Sequence, residues 1–423
     1  MEVCIMKRSL VSKLQIGESA KIMGWVQSIR SLGGITFVLV RERTGFVQCV
    51  FKGSPRISRE SVVEIVGRVH QEPRAPGQVE IKGEKIRIVS EAAQPLSVET
   101  GKSAKLSLPQ LIESRPLSLR QEKQQAIFKI KAELVWAFRE FMRSQGFVEI
   151  HSTKLTSGGL EGGSEVFPVK YFGKTAWLAQ SPQFYKQMMV GVYERVFEVG
   201  KVYRAEPHAT TRHLAEYVGL DYEIGFIESV EEVMEMEEKM LKFVFGHLKT
   251  HCPELKLFEA KVPEIETIPR ITFAKAKEMI RGKCPVKESG LTPEMERAIC
   301  QEVEKEYGSE LVFITKYPLG ERPFYTMPSK EEGCSESFEL LYKGLEITTG
   351  SQRIHQYEEL KKAIVEAGMK LEGFKGYLMC FKYGMPPHGG VGIGTERIIK
   401  ELLGLGSVEE ASLIPRTKQR FHH

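Results

Sequence analysis

Between Tyr203 and Tyr217 the chain reads YRAEPHATTRHLAEY, which crowds Arg204, Arg212 and His213 against Glu206 and Glu216. A guanidinium stays charged at every accessible pH and presents a planar fork of donors that fits a phosphate bidentately. Two arginines this close therefore form a candidate oligophosphate clamp, with His213 as a further donor. Taken alone, the stretch reads equally well as surface ion pairs, each contributing roughly 0–1 kcal/mol.

Three other stretches carry candidate chemistry. YGMPPHGGVGIGTERIIKELLGL, residues 383–405, alternates Gly390, Gly392 and Gly394 along an expected strand and then puts Arg397 in the first turn of an amphipathic helix. It is not a Walker loop, because no G-K-[ST] follows, nor a dinucleotide fingerprint, which needs G-x-G-x-x-G inside a βαβ unit. Alternate glycines instead strip one strand face of side chains, so a flat group such as adenine can lie against the backbone. YKGLEITTGSQRIH, residues 342–355, offers Glu346 and Thr349, hard oxygens suited to magnesium, with Arg353 beyond them. A regular strand would place 346 and 349 on opposite faces, so joint ligation requires a bulge or a strand end. EGGSEVF and LAQSPQFYKQ supply Glu161, Ser181, Gln183 and Lys186, each of which is by itself an ordinary structural residue.

The elements that must position these groups follow from periodicity. YVGLDYEIGFI alternates Val218, Leu220, Tyr222, Ile224 and Phe226 on one face with Gly219, Asp221, Glu223 and Gly225 on the other, as expected of a strand that presents carboxylates to solvent or to a ligand. In QAIFKIKAELVWAFREFMRSQGF, Ile127, Ile130, Leu134, Phe138 and Phe141 fall on one helical stripe, with Gly146 as a C-cap. A second helix runs through SVEEVMEMEEKMLKFVFGHLKTH, where Met234, Met236 and Met240 are packing residues. Residues 16–90 read as about five short strands separated by glycine and proline, which fits a small closed barrel of the OB type. Residues 91–122 lack periodicity and read as a linker. Residues 258–330 read as mixed α/β without evident chemistry.

The formal net charge of +5 conceals an asymmetry, since residues 1–125 hold 20 lysines and arginines against 12 glutamates and no aspartate. A basic barrel implies a polyanionic partner, and OB barrels commonly present one strand face to single-stranded nucleic acid. No apolar run approaches the ~20 residues of a membrane-spanning helix. The seven cysteines are scattered without a C-x-x-C pair. Both features point to a soluble, cytoplasmic protein with no membrane partner.

Together these segments resemble the class II aminoacyl-tRNA synthetases, and within them the aspartyl-tRNA synthetases of archaeal and eukaryotic type, over nearly the whole chain. FREFMRSQGFVEIHSTKL is similar to class II motif 1, YRAEPHATTRHLAEYVGLDYE to motif 2 and GGVGIGTERI to motif 3. The resemblance implies an α/β (α+β) fold: an N-terminal OB-fold anticodon-binding β-barrel (1–95), a hinge (96–125), and a class II catalytic domain (126–423). That domain would hold an antiparallel sheet flanked by helices and a small α/β insertion around 258–330. It implies an ATP- and Mg²⁺-dependent ligase, a homodimer, that makes aspartyl-tRNA(Asp) from L-aspartate through the adenylate. Alternatives are an enzyme that also charges tRNA(Asn), or a catalytically silent RNA-binding paralogue.

The implied roles follow the motifs. Arg204, Arg397 and Glu346 would be catalytic, with Glu206, Arg212, His213, Leu214, Tyr217, Gly394, Thr395 and Glu396 completing the ATP site. Glu346 and Thr349 would hold the metal. Lys186 and Arg353 would pair with the aspartate side chain, and Glu161, Gln183 and Asp221 would surround its ammonium end, with Ser181, Arg204 and Thr349 also in the aspartate site. Phe37, Gln48 and Glu80 would read the anticodon. The chain departs from the family pattern at Thr153, where motif 1 carries proline, at Pro207 and Ala209 in the motif 2 loop, at Thr349, where serine is usual, and at Thr417.

Overall fold

The computed structural model describes residues 6–101, 105–157, 165–207 and 210–421. It divides into two compact units, Met1–Gln121 and Glu122–His423.

In the first unit, β1 (Ser19–Leu32), β2 (Ile35–Glu42), β3 (Gly45–Lys52), β4 (Val62–Gln71) and β5 (Val79–Ser90) close into a barrel in the order β1-β2-β3-β5-β4. Strict alternation drives this closure: Val38, Val40, Val47, Cys49 and Ile81 fill the interior while their neighbours face outward. Phe37, Gln48 and Glu80 are such outward neighbours. Gln48 stands opposite Glu80 on the parallel β3–β5 pair and donates to it at 3.2 Å. Phe37 stands opposite Val50 on the same face, with the Arg30 guanidinium 5.2 Å from its ring. Two short helices, α1 (Leu108–Glu113) and α2 (Arg115–Ser118), follow. The buried Glu60 carboxylate ties this segment to the barrel by pairing with Arg41 at 3.1 Å and Arg120 at 3.0 Å and accepting from Thr100 at 2.6 Å.

The second unit opens with α3 (Glu122–Ser144), and the stripe Ile127, Ile130, Leu134, Phe138 and Phe141 is buried as its spacing requires. In chain order come β6 (Val148–Glu149), β7 (Leu155–Thr156), β8 (Pro168–Tyr171), β9 (Lys174–Leu178), α4 (Gln183–Tyr193), β10 (Arg195–Tyr203), β11 (Glu216–Gly225) and α5 (Val230–His251). Then follow β12 (Arg270–Thr272), α6 (Phe273–Met279), α7 (Pro293–Tyr307), β13 (Leu311–Thr315), β14 (Ser337–Tyr342) and β15 (Leu345–Arg353). The chain ends with α8 (Tyr357–Glu366), α9 (Lys375–Lys382), β16 (His388–Gly394) and α10 (Thr395–Leu403).

An eight-stranded sheet, β12-β13-β14-β15-β16-β11-β10-β6, organises the unit. Its six central strands are antiparallel, and only the edge pairs β12–β13 and β10–β6 run parallel. Helices α3, α5 and α10 share one continuous core with the apolar sheet face. Met234, Met236 and Met240 lie in that core, as packing residues should.

Two local readings change. Phe226 lies beyond the end of β11 at φ +59° and is exposed, so it does not extend the strand's apolar face. The opposite, acidic face of β11 is not open to solvent: Asp221 and Glu223 are 4% and 0% exposed, because cations from α4 and β15 cover them.

Candidate active site

A cavity opens on the sheet face opposite the main core, walled by β10, β11, β14, β15 and β16, the start of α10 and the loop after β13. Its cationic edge comes from the β10–β11 hairpin, whose register pairs Tyr203 with Glu216 and so projects residues 204–215 as a loop. Arg204 leaves the end of β10 with its guanidinium 5.8 Å from the Tyr217 ring and 3.9 Å from the Glu206 carboxylate. His213 meets Glu206 at 3.2 Å. Burial, together with Arg397, Arg212 and Arg204, pushes the His213 imidazole down to about 4, so it is neutral at physiological pH. Leu214 closes the loop side of the wall. Of the loop centre, Pro207 accepts a hydrogen bond from Lys418 at 3.0 Å. His208 and Ala209 lie outside the described residues.

Opposite this loop, Arg397 in the first turn of α10 donates through Nη1 to both the carbonyl and the carboxylate of Glu346, at 2.8 and 3.1 Å. The bulge that joint ligation demanded is present. Leu340 pairs with Thr348 but Leu341 with Glu346, so Ile347 is the extra residue and Glu346 and Thr349 share a face. The Thr349 hydroxyl donates to Glu346 at 2.6 Å. Burial opposes the Glu346 charge, yet Arg397, this hydroxyl and Arg204 together hold its carboxyl below the usual range. An ionised carboxylate beside a hydroxyl is a donor set that fits Mg²⁺, which binds few protein ligands and keeps water and phosphate in its shell. Among the described residues no three His, Cys, Asp or Glu side chains gather into an all-protein metal cage.

Beneath the cationic edge lies a buried ion cluster. Lys186 on α4, 1% exposed, reaches Asp221 at 3.0 Å, Glu223 at 3.4 Å and the Val391 carbonyl at 2.7 Å. Arg353 at the end of β15 pairs with Glu223 at 2.8 Å and donates to Gln183 at 3.2 Å and to the Gly390 carbonyl at 2.8 Å. Burial raises Asp221 against the pull of Lys186, whereas Glu223 is held below its usual range because two cations outweigh the same burial. Ser181 stands at the rim and accepts the Gln183 backbone N–H at 3.1 Å. Glu161 lies outside the described residues.

The glycines of β16 do different jobs. A Cβ on Gly390 would sit 2.1 Å from the Tyr222 carbonyl oxygen and 2.3 Å from Glu223, so its missing side chain makes room for protein. Gly392 clears space for Asp221, 3.2 Å away, and Gly394 faces only the Arg397 side chain at 3.6 Å or more. A bare face for a ligand is thus confined to the 392–394 end. Thr395 is fully buried, its hydroxyl spent on the Val218 carbonyl at 2.6 Å, and it is not part of the wall. Glu396 is on the wall, but its carboxylate is held by Lys131 at 2.6 Å and the Val218 N–H at 3.2 Å.

The sequence reading missed residues that the cavity recruits. Arg322, Tyr325 and Thr326 line it from a segment read as chemically silent. Glu339 stands cross-strand from Thr349, pairs with Arg322 at 2.9 Å and accepts from Tyr317 at 2.7 Å. Burial and the neighbouring Glu346 both raise its carboxyl. The sequence did carry a signal for Glu339: Lys343-Gly344 is a two-residue hairpin turn with both φ positive, which pairs Tyr342 with Leu345 and brings 339 opposite 348 or 349.

Residues 108–418 match the family model of the class II tRNA synthetases (D, K and N), and residues 20–89 match that of an OB-fold nucleic acid binding domain. The chain belongs to the class II tRNA synthetase family; it is an aminoacyl-tRNA ligase with an OB-fold barrel, and ATP is its substrate. Among curated relatives, the aspartate–tRNA(Asp/Asn) ligase of Deinococcus radiodurans is 44% identical over 98% of this chain and 99% of its own. The aspartate–tRNA(Asp) ligase of Pyrococcus furiosus is 41% identical over 96% of each. Among solved structures, the asparaginyl-tRNA synthetase of Pyrococcus horikoshii with asparaginyl-adenylate superposes with a TM-score of 0.92 at 28% identity, covering 99% of this chain and 100% of that one. The aspartyl-tRNA synthetase of Entamoeba histolytica gives 0.86 at 31%, covering 99% and 93%. Among the described residues no helix is long and apolar enough to cross a membrane.

Proposed function

We propose that the protein is an aspartyl-tRNA synthetase, which activates L-aspartate with ATP and transfers it to the 3′ end of tRNA(Asp). The observation that carries this is the stacking, in one cavity, of an Arg204–Arg397–Glu346 edge above the buried Lys186–Arg353 pair. In the first step the aspartate α-carboxylate oxygen bonds to the α-phosphorus and pyrophosphate leaves. Arg204 stabilises the charge on the α-phosphate, a purely electrostatic contribution. Tyr217 stacks under the adenine and Arg397 covers it while reaching the γ-phosphate. Glu206, Arg212, His213 and Leu214 complete the nucleotide wall. Glu346 and Thr349, with Glu339 behind them, would hold Mg²⁺, which when bound offsets phosphate charge and orients the leaving group.

Lys186 donates to Asp221 and Val391 and lies 3.4 Å from Glu223, and together with Arg353 it supplies the positive charge that would meet the substrate's side-chain carboxylate. Lys186 and Arg353 present only N–H donors, so a carboxylate would meet them with two acceptor oxygens where an amide would turn its own N–H donors toward one of them, which selects aspartate over asparagine. Gln183, Asp221 and Glu161 receive the ammonium group. In the second step a hydroxyl of the terminal tRNA ribose attacks the adenylate carbonyl and AMP leaves. On the barrel, Phe37 stacks on an anticodon base while Gln48 and Glu80 read base edges. The exposed Trp136, Val148 and Leu155 around motif 1 support a homodimer, and the setting is cytoplasmic.

Aspartate-dependent ATP–pyrophosphate exchange tests the assignment. Robust exchange with aspartate and background exchange with asparagine are expected. No exchange with either amino acid overturns the enzyme claim, and exchange with asparagine alone overturns the pocket assignment. A second reading, that tRNA(Asn) is charged as well, is favoured by the Asp/Asn naming of the Deinococcus relative.

A further inference from the structure

The roles above leave a buried carboxylate of α7 unused. Glu296 lies in the first turn of that helix, 7% exposed, behind the cavity wall. A single oxygen, Oε2, both ion-pairs with the Arg212 guanidinium and accepts the backbone N–H of Glu346 at 3.0 Å. Arg212 and Glu346 each line the cavity, one from the β10–β11 loop and one from the bulge of β15. At a bulge the ladder of backbone hydrogen bonds is interrupted, so a side chain that supplies a partner fixes where the bulged residues point. The same peptide is gripped from its other side, where Arg397 donates to the Glu346 carbonyl. The Glu346 peptide is thus held between Glu296 below and Arg397 above.

We propose that Glu296 is a positioning residue for the phosphate side of the site: its carboxylate sets both the Arg212 fork and the bulge that aims Glu346. This rests on the assignment of ATP to that edge. A long arginine held in place loses less rotamer freedom when it binds phosphate, and a fixed bulge keeps Glu346 and Thr349 on one face before the nucleotide arrives. The opposite role, a carboxylate that merely masks Arg212 from phosphate, gives the opposite sign in binding.

The test measures Mg·ATP affinity by calorimetry, and KM for ATP and for aspartate in pyrophosphate exchange, for the wild type, Glu296→Gln, Glu296→Asp and the same-helix control Glu304→Gln. Glu296→Gln should weaken ATP binding about tenfold and leave the aspartate KM within about twofold, as expected for one charge-assisted contact. Glu304→Gln should match the wild type. Because a glutamine carbonyl still accepts the Glu346 N–H, Glu296→Gln removes chiefly the Arg212 contact, so Arg212→Ala combined with Glu296→Gln should be little worse than Arg212→Ala alone. Tighter ATP binding by Glu296→Gln, equal shifts in both KM values, or additive losses in the double variant would each overturn the proposal. Should Glu296→Gln unfold, Glu296→Asp decides: it keeps the charge but withdraws it by one methylene, and must show the same ATP-selective loss. If the wild type binds ATP yet shows no exchange with aspartate, the functional assignment fails while the affinity series still decides the role of Glu296.

Discussion

Asp221 is the only aspartate in the chain; every other acidic residue of the 55 is glutamate. The structure gives the reason for the shorter side chain. Its carboxylate lies between two glycines, with a Cβ on Gly219 falling 2.8 Å from Oδ2 and one on Gly392 falling 3.2 Å from Oδ1. One more methylene would drive the carboxylate past that cradle and away from Lys186. Asp221→Glu should therefore fold and bind ATP within about twofold of wild type, while its KM for aspartate rises at least about tenfold, the effect of removing one charge-assisted hydrogen bond. Parallel loss of ATP binding would show that Asp221 serves the whole cavity instead. Lys186 offers no such clean probe, because removing one partner of a buried ion cluster costs about 3–5 kcal/mol in stability. The chemical identity of these residues was legible in the sequence, since an acidic strand face and a lysine on a helix are visible as patterns. Their closure into a desolvated cluster was not, because α4 and β15 meet β11 only through tertiary packing.

At the scale of elements, β15 and β16 show where strand periodicity is informative and where it stops. Alternation correctly placed Gly390, Gly392 and Gly394 on one face but could not say what occupies it. The register of β16 on β11 decides that: Gly390 lies opposite Glu223, Gly392 opposite Asp221, and Gly394 opposite Gly219. The β15 bulge was likewise demanded by the chemistry and yet unplaceable from one strand, since it is set by the turn at Lys343-Gly344 and by partners as remote as Glu296 and Arg397. These neighbours predict opposite outcomes for two similar substitutions. Gly390→Ala drives a Cβ into the Tyr222 backbone, which cannot yield as a side-chain tip would, and should lower stability to denaturant by ~2 kcal/mol or more. Gly394→Ala meets only the flexible Arg397 side chain; it should unfold like wild type but show weaker ATP affinity. Denaturation curves and ATP titration on the two proteins check this, and equal destabilisation by both would refute the division of the strand.

At the scale of the molecule, the two units carry separable tasks. The barrel places Phe37, Gln48 and Glu80 on one outer face of β2, β3 and β5, and the described residues that line the cavity belong to the second unit. The charge imbalance pointed toward this division, because a basic first third beside a slightly acidic remainder suggests a polyanion partner only once the barrel reading is set beside it. What composition cannot supply is the base preference, which on the proposed assignment would depend on a few outward side chains such as the Gln48–Glu80 pair. Stacking of a splayed base on an aromatic ring contributes about 1–3 kcal/mol, so Phe37→Ala should lower kcat/KM for tRNA(Asp) by roughly 5- to 150-fold. Pyrophosphate exchange requires no tRNA and should be unchanged within about twofold. Gln48→Ala should reduce charging as well, and by altering base-edge contacts it should also change the ratio of tRNA(Asp) to tRNA(Asn) charging. That ratio separates a stacking platform from a base reader. A fall in exchange with Phe37→Ala would mean that the barrel supports the catalytic unit's structure rather than RNA binding. An unchanged charging ratio with Gln48→Ala would move base discrimination to another part of the barrel.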